Sequence, residues 1–201
     1  MSLPSSGPPA RSRSRVASGL PAVTPDGIVD AAMRLTAERG LENWTLRQLA
    51  SAVDAYPAVI YHHVGDREAV VRAVAERVLA QLPTPDPALG WREWFAELLG
   101  GMRTVLRRYP GSARRLALFG PGLKGSERFI TAGTALLAEA GFGEEALMAY
   151  NSLLCTASQF VSMEDDRNPV DAEEYYAKLY LYAINRTLDG VAHRLGEILA
   201  E

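Results

Sequence analysis

The stretch from Thr45 to Arg67, TLRQLASAVDAYPAVIYHHVGDR, decides how this chain is read. It opens with Thr45-Leu46-Arg47-Gln48, the spacing at which a Thr side chain and a Gln three residues later satisfy each other's backbone N–H groups at a helix start. Leu46, Leu49, Ala50 and Val53 then recur at helical spacing, which predicts a short helix ending near Asp54. Pro57 cannot continue that helix, but its fixed φ suits the first position of another, which the pattern carries to about Val64. Gly65-Asp66 closes it and caps the next. Two short helices joined tightly let the second lie in a DNA major groove, about 12 Å wide, while the first spans the phosphates.

Upstream, Thr24-Pro25-Asp26 is a helix start, with Ile28, Ala31, Ala32 and Leu35 on one face and Gly40 as the stop. Downstream, Val71, Val74, Ala75, Val78 and Leu82 mark a helix over 66–82, and Pro83, Pro85 and Pro87 mark a boundary. Residues 23–82 are thus expected to form one domain and 83–201 a second. Residues 1–22, rich in Ser, Pro, Gly and Arg and without apolar periodicity, are expected to be a disordered tail, with Arg11, Arg13 and Arg15 solvated or following DNA.

The second domain also reads as helices: 91–109, 110–119, 126–139, 144–163 and 172–199, with Glu164–Pro169 as a polar loop whose carboxylates are solvated. No strand is expected, so the fold class is all-α. Leu147, Leu154 and Val161, and then Leu181, Ile184, Leu188, Val191 and Leu195, form long apolar seams; these are the expected homodimer interface, closed as a four-helix bundle about a two-fold axis.

Composition excludes several classes. The 201 residues are 48% hydrophobic and 22% charged, ordinary for a chain that buries a core. The single Cys155 leaves no internal disulfide, no apolar run reaches a membrane span, and no signal peptide follows the N-terminal arginines, so a cytoplasmic protein with no membrane partner is expected. The net charge is -3, yet residues 1–82 hold nine Arg and Lys against eight Asp and Glu, and 83–201 hold 12 against 16. The balance neither favours nor excludes nucleic acid, since a small domain need place only a few cations near phosphates. Three His and one Cys scattered along the chain offer no catalytic constellation, and no cofactor or metal is called for; His62 and His63 point about 100° apart on a helix.

On the motif's own physics, Thr45 and Arg47 are candidates for phosphate or base contacts, and Pro57, Ala58 and Val59 present apolar groups suited to thymine methyls. Tyr61, His62 and His63 follow on the exposed side, with Arg67 from the next helix, while Ile60 and Val64 belong to the core. The segment Trp44-Thr45-Leu46-Arg47-Gln48-Leu49-Ala50, then Tyr61-His62-His63-Val64-Gly65-Asp66-Arg67-Glu68 with Tyr61 eleven residues after Ala50, resembles the tetracycline repressor (TetR) family of bacterial regulators over about residues 24–82. The resemblance implies a three-helix DNA-binding unit tied by a fourth helix to a ligand-binding and dimerisation domain. It also implies phosphate contacts for Tyr61 and His63, with Arg67 in place of the family's phosphate-binding lysine. The chain departs from the pattern at Asp54, where a turn glycine is usual, at Tyr56, a poor N-cap, and at Val59, where Thr is common.

The function expected is a regulator, a repressor by family default, released from a palindromic operator by a small, mostly apolar effector. Trp94, Phe95, Leu98, Met102, Phe119, Phe129, Tyr150, Leu154, Cys155 and Gln159 are the candidates for its pocket, as large adaptable groups with a few polar ones. His193 is the second domain's only histidine, which speaks against a metal-assisted drug site.

Overall fold

The computed structural model describes residues 23–167 and 172–200, and the expected tail with Arg11, Arg13 and Arg15 lies outside them. The described residues contain helices and connecting turns and no strand.

Helix α1 (Pro25–Arg39) begins where Thr24 Oγ1 accepts from Gly27 N at 3.1 Å. It ends at Gly40, whose positive φ of 85° releases the chain. Its buried face carries Ile28, Ala31, Ala32 and Leu35. Helix α2 (Leu46–Ala52) has the full reciprocal cap: Gln48 N donates to Thr45 Oγ1 at 3.3 Å, and Thr45 N to Gln48 Oε1 at 2.8 Å. The chain then turns through Asp54, the one non-glycine at positive φ (49°) among the described residues, and enters α3 (Pro57–His63). Helix α4 (Arg67–Leu79) is capped by Asp66, whose carboxylate accepts from Ala69 N at 2.8 Å. Val71, Val74, Ala75 and Val78 are fully buried, on a helix that packs against α1.

The proline-marked connection needs a glycine opposite it. Pro83 packs on α5 (Trp91–Leu106) at Gly101, where a Cβ would fall 2.3 Å from the proline ring. Then follow α6 (Ser112–Phe119), a 3-10 turn at Gly120–Gly122, α7 (Glu127–Leu137) running on into a π-type turn at Ala138–Phe142, α8 (Ala146–Arg167) and α9 (Glu173–Ile198). Helices α5, α8 and α9 pack together, pinned by the Tyr180 hydroxyl donating to Leu99 O at 2.6 Å.

Two expectations are corrected here. The predicted polar loop at 164–169 is helical through Arg167, and Glu164 is fully buried. Arg103 and Arg107, one turn apart on α5, explain it. Arg103 grips Glu164 through both carboxylate oxygens (3.0 and 2.5 Å), and Arg107 binds Asp165 at 2.7 Å, whose other oxygen accepts from Gly111 N at 2.8 Å. Charge-assisted forks of this kind hold carboxylates inside a fold. Burial pushes the Asp165 carboxyl above the usual range, outweighing Gly111 and Arg107. The second correction concerns the apolar seams. Val161, Ile184, Leu188 and Val191 are buried within the subunit, because α5 and α7 cover the faces that the pattern assigned to a partner. Leu147 and Leu181 remain exposed, Leu195 is half-buried, and Leu154 turns toward a cavity.

Candidate nucleic-acid interface and cavity

Helix α3 is anchored by Ile60, which is fully buried, so its other positions are turned outward. Ala58, Tyr61, His62 and His63 are exposed, while Pro57 and Val59 are half-buried. The two imidazoles meet edge to face at 5.3 Å. Tyr56 makes no cap hydrogen bond and is 78% exposed, the most open aromatic side chain of the described residues. Sequence reasoning noted it only as a weak cap; its position immediately before a helix-starting proline was the signal that it would project. Arg47 and Thr45 are exposed on α2, and Arg47 borders one shallow depression with Ser51, Asp54, Tyr56 and Pro57. The Arg47 guanidinium makes no ion pair or hydrogen bond with the described residues.

Arg67, expected by resemblance in place of a phosphate-binding lysine, is bonded within the protein. Its guanidinium donates to Leu41 O at 2.9 Å and Glu42 Oε2 at 3.3 Å and stacks over Trp44 at 5.1 Å. Glu42 is shared with Arg115 of α6 at 2.7 Å, and Arg115 also reaches Glu68 at 3.2 Å. Partial burial pushes the Glu42 carboxyl up, but Arg115 and Arg67 together hold it below the usual range.

Between α4 and the helices beyond it lies a cavity of about 190 Å³. Six expected residues line it: Leu98, Met102, Phe129, Tyr150, Leu154 and Cys155. Four do not. Trp94 and Phe95 are packed edge to face in the core behind it, Phe119 lies beneath the Arg72 guanidinium at 4.5 Å, and Gln159 faces out from α8. Sequence reasoning missed Leu79, Leu116, Leu123, Ile130 and Ser158. A wall assembled from the ends of separate helices carries no local pattern.

The end of α4 forms part of this wall through Leu79, and the turn after it through Leu82. The rim is bonded to the same helix three times: Arg72 Nη1 to Gly122 O at 2.9 Å, Lys124 N to Glu76 Oε1 at 3.1 Å, and Arg128 Nη2 to Leu79 O at 3.3 Å. The helix that carries Arg67 beside α3 therefore ends at the cavity wall.

The fold and site define an all-helical protein, with a helix-turn-helix at one end of α4 and a cavity at the other. Residues 28–74 match the model of the bacterial regulatory proteins of the tetR family. Class A tetracycline repressor protein from transposon 1721 of Escherichia coli is 31% identical over 156 residues, 75% of this chain and 70% of that protein. An HTH-type transcriptional regulator of Saccharopolyspora erythraea is 29% identical over 64% of this chain, and the match spans 55% of that relative's length. Among solved structures, a TetR variant of Acinetobacter baumannii AYE in complex with minocycline superposes with a TM-score of 0.76 at 21% identity, covering 87% of this chain and 99% of that one. The chain belongs to the tetR family, a family of transcriptional regulators rather than enzymes. Among the described residues, no helix is long and apolar enough to cross a membrane.

Proposed function

We propose that this chain is a ligand-responsive repressor that binds a palindromic operator as a homodimer and releases it when a small, mostly apolar effector fills the cavity. The observation that carries the reading is the double commitment of α4, which abuts the helix-turn-helix at Arg67 and forms cavity wall at its last residue, Leu79. An occupant that displaces the rim acts on α4 through the Arg72, Glu76 and Leu79 hydrogen bonds. It shifts the balance between domain arrangements only by its differential affinity for them.

On DNA, Thr45, Arg47, Tyr61 and His63 are assigned to phosphates, and Pro57, Ala58 and Val59, with His62, to the groove. Arg67 acts from behind, tying α4 to the α1–α2 loop at Leu41 and Trp44. Residues 23–82 form the reading domain and 83–201 the effector and dimerisation domain, working in the cytoplasm without cofactor or metal. The dimer uses the outer faces of α8 and α9, where Leu147, Met148, Leu181 and Tyr182 are exposed.

Selection of bound sequences from random duplex DNA tests the reading. The expected product is an inverted repeat with half-site centres about 34–36 Å apart. An enriched pool without symmetry removes the dimeric operator, and no enrichment removes DNA reading altogether.

A further inference from the structure

The cavity's chemistry narrows the effector further, on the reading that the cavity is the effector site. None of its lining residues is Asp, Glu, Lys, Arg or His. A charged occupant would therefore find no charged partner on the mainly apolar wall, which is costly for the part of it taken out of water. Three of the lining residues with side-chain hydroxyls or amides are buried or nearly so: Ser126, Tyr150 and Ser158, at 7%, 6% and 6% exposure. Ser126 is satisfied, donating to Leu123 O at 2.7 Å and Pro121 O at 3.1 Å. Tyr150 and Ser158 make no side-chain hydrogen bond with the described residues.

Among the described residues Arg107 Nε is the one side-chain N or O that is both buried and without a hydrogen-bond partner, so the Tyr150 and Ser158 hydroxyls are reachable from the cavity and stand ready to bond an occupant. They lie on the same stripe of α8, with Leu154 between them, eight residues apart and so about 12 Å along the helix axis. The Tyr150 ring is held in place. A Cβ at Gly133 would fall 2.8 and 2.9 Å from its Cδ2 and Cε2, and Phe95 packs against it edge to face at 6.0 Å. Burial pushes the phenol well above its ordinary value, so it keeps its proton and acts as a donor.

We propose that the effector is an uncharged, elongated, mainly apolar molecule with a carbonyl-type acceptor that meets the Tyr150 hydroxyl and a second polar group that meets Ser158. The apolar middle lies over Leu154 and faces Leu98, Met102 and Phe129.

The test uses the full chain and four probes of similar shape: 2-acetylnaphthalene, 6-hydroxy-2-acetylnaphthalene, 2-ethylnaphthalene and 2-naphthoate. Binding is read by calorimetry and by protection of Cys155, the chain's single cysteine and a lining residue, from maleimide. The expected order places the hydroxy-ketone first, the ketone next, and the hydrocarbon and carboxylate about tenfold or more weaker than the ketone, the worth of one buried hydrogen bond. Tyr150→Phe is expected to abolish the ketone's advantage over the hydrocarbon while leaving hydrocarbon affinity unchanged, and Ser158→Ala to abolish the added benefit of the hydroxyl. Equal binding of ketone and hydrocarbon, a preference that survives Tyr150→Phe, or tightest binding of 2-naphthoate overturns this inference but leaves the cavity an effector site. Failure of every neutral probe to bind or to protect Cys155 overturns the effector site itself.

Discussion

Two arginines that look alike in the motif part company in the structure. Arg67 is tied to Leu41 O, Glu42 and the Trp44 ring, whereas Arg47 stands exposed on α2 and pairs with none of the described residues. Arg67→Ala is expected to lower unfolding free energy by about 1–2 kcal/mol in urea titration, from a lost charge-assisted hydrogen bond and stacking contact. It should leave the salt dependence of DNA binding nearly unchanged. Arg47→Ala is expected to leave stability within about 0.5 kcal/mol but to flatten the log–log salt dependence by about 0.9, one phosphate's worth. Reversed results would exchange the two roles. Which arginines the motif contains is legible from sequence; which carbonyl or ring each one meets depends on a loop 25 residues away.

At the scale of elements, what was readable was local. The reciprocal Thr45–Gln48 cap, the Thr24 and Asp66 caps and the left-handed turn at Asp54 each depend on residues within a few positions. What was not readable was the continuation of α8 through Glu164, because three consecutive acids read as solvated until Arg103 and Arg107 arrive from α5. The turn supports a prediction of its own. Asp54→Val places a β-branched residue at a φ of 49°, so unfolding free energy should fall by about 1–2 kcal/mol and DNA affinity should fall with it, as α3 loses its angle to α2. Unchanged stability in urea titration would mean that the turn relaxes freely. The α8 correction supports another. Glu164→Gln leaves two arginines short of a buried carboxylate and is expected to cost about 3–5 kcal/mol in the same assay.

For the whole molecule, ion pairs join parts that no local pattern connects. Glu42 is held by Arg67 and Arg115, and Glu173 by Arg103 and Arg107, in each case strongly enough to offset partial burial and bring the carboxyl below the usual range. A carboxylate depressed in the folded state stabilises it above the unfolded pKa, and that stability is lost as pH falls through the folded value. Asp165, raised by burial, acts with the opposite sign. Unfolding free energy should therefore fall below about pH 4.5, and Glu42→Gln should make that limb shallower; an unaltered limb would show that the Arg115 bridge contributes nothing. The break between α4 and α5 was legible from the prolines at 83, 85 and 87. The cavity wall and the inward turn of Val161, Ile184, Leu188 and Val191 were not, since one helical stripe has the same sequence signature whether it faces its own subunit or a second copy.

The account rests on α3 entering the major groove of duplex DNA. Dimethyl sulfate protection on the selected operator reports this directly, because it modifies guanine N7 in the major groove and adenine N3 in the minor groove. The account predicts two tracts of N7 protection about 34–36 Å apart, both lost when Ile60 is replaced by Asp and α3 loses its anchor. Protection confined to adenine N3, or protection that persists in that variant, would contradict it.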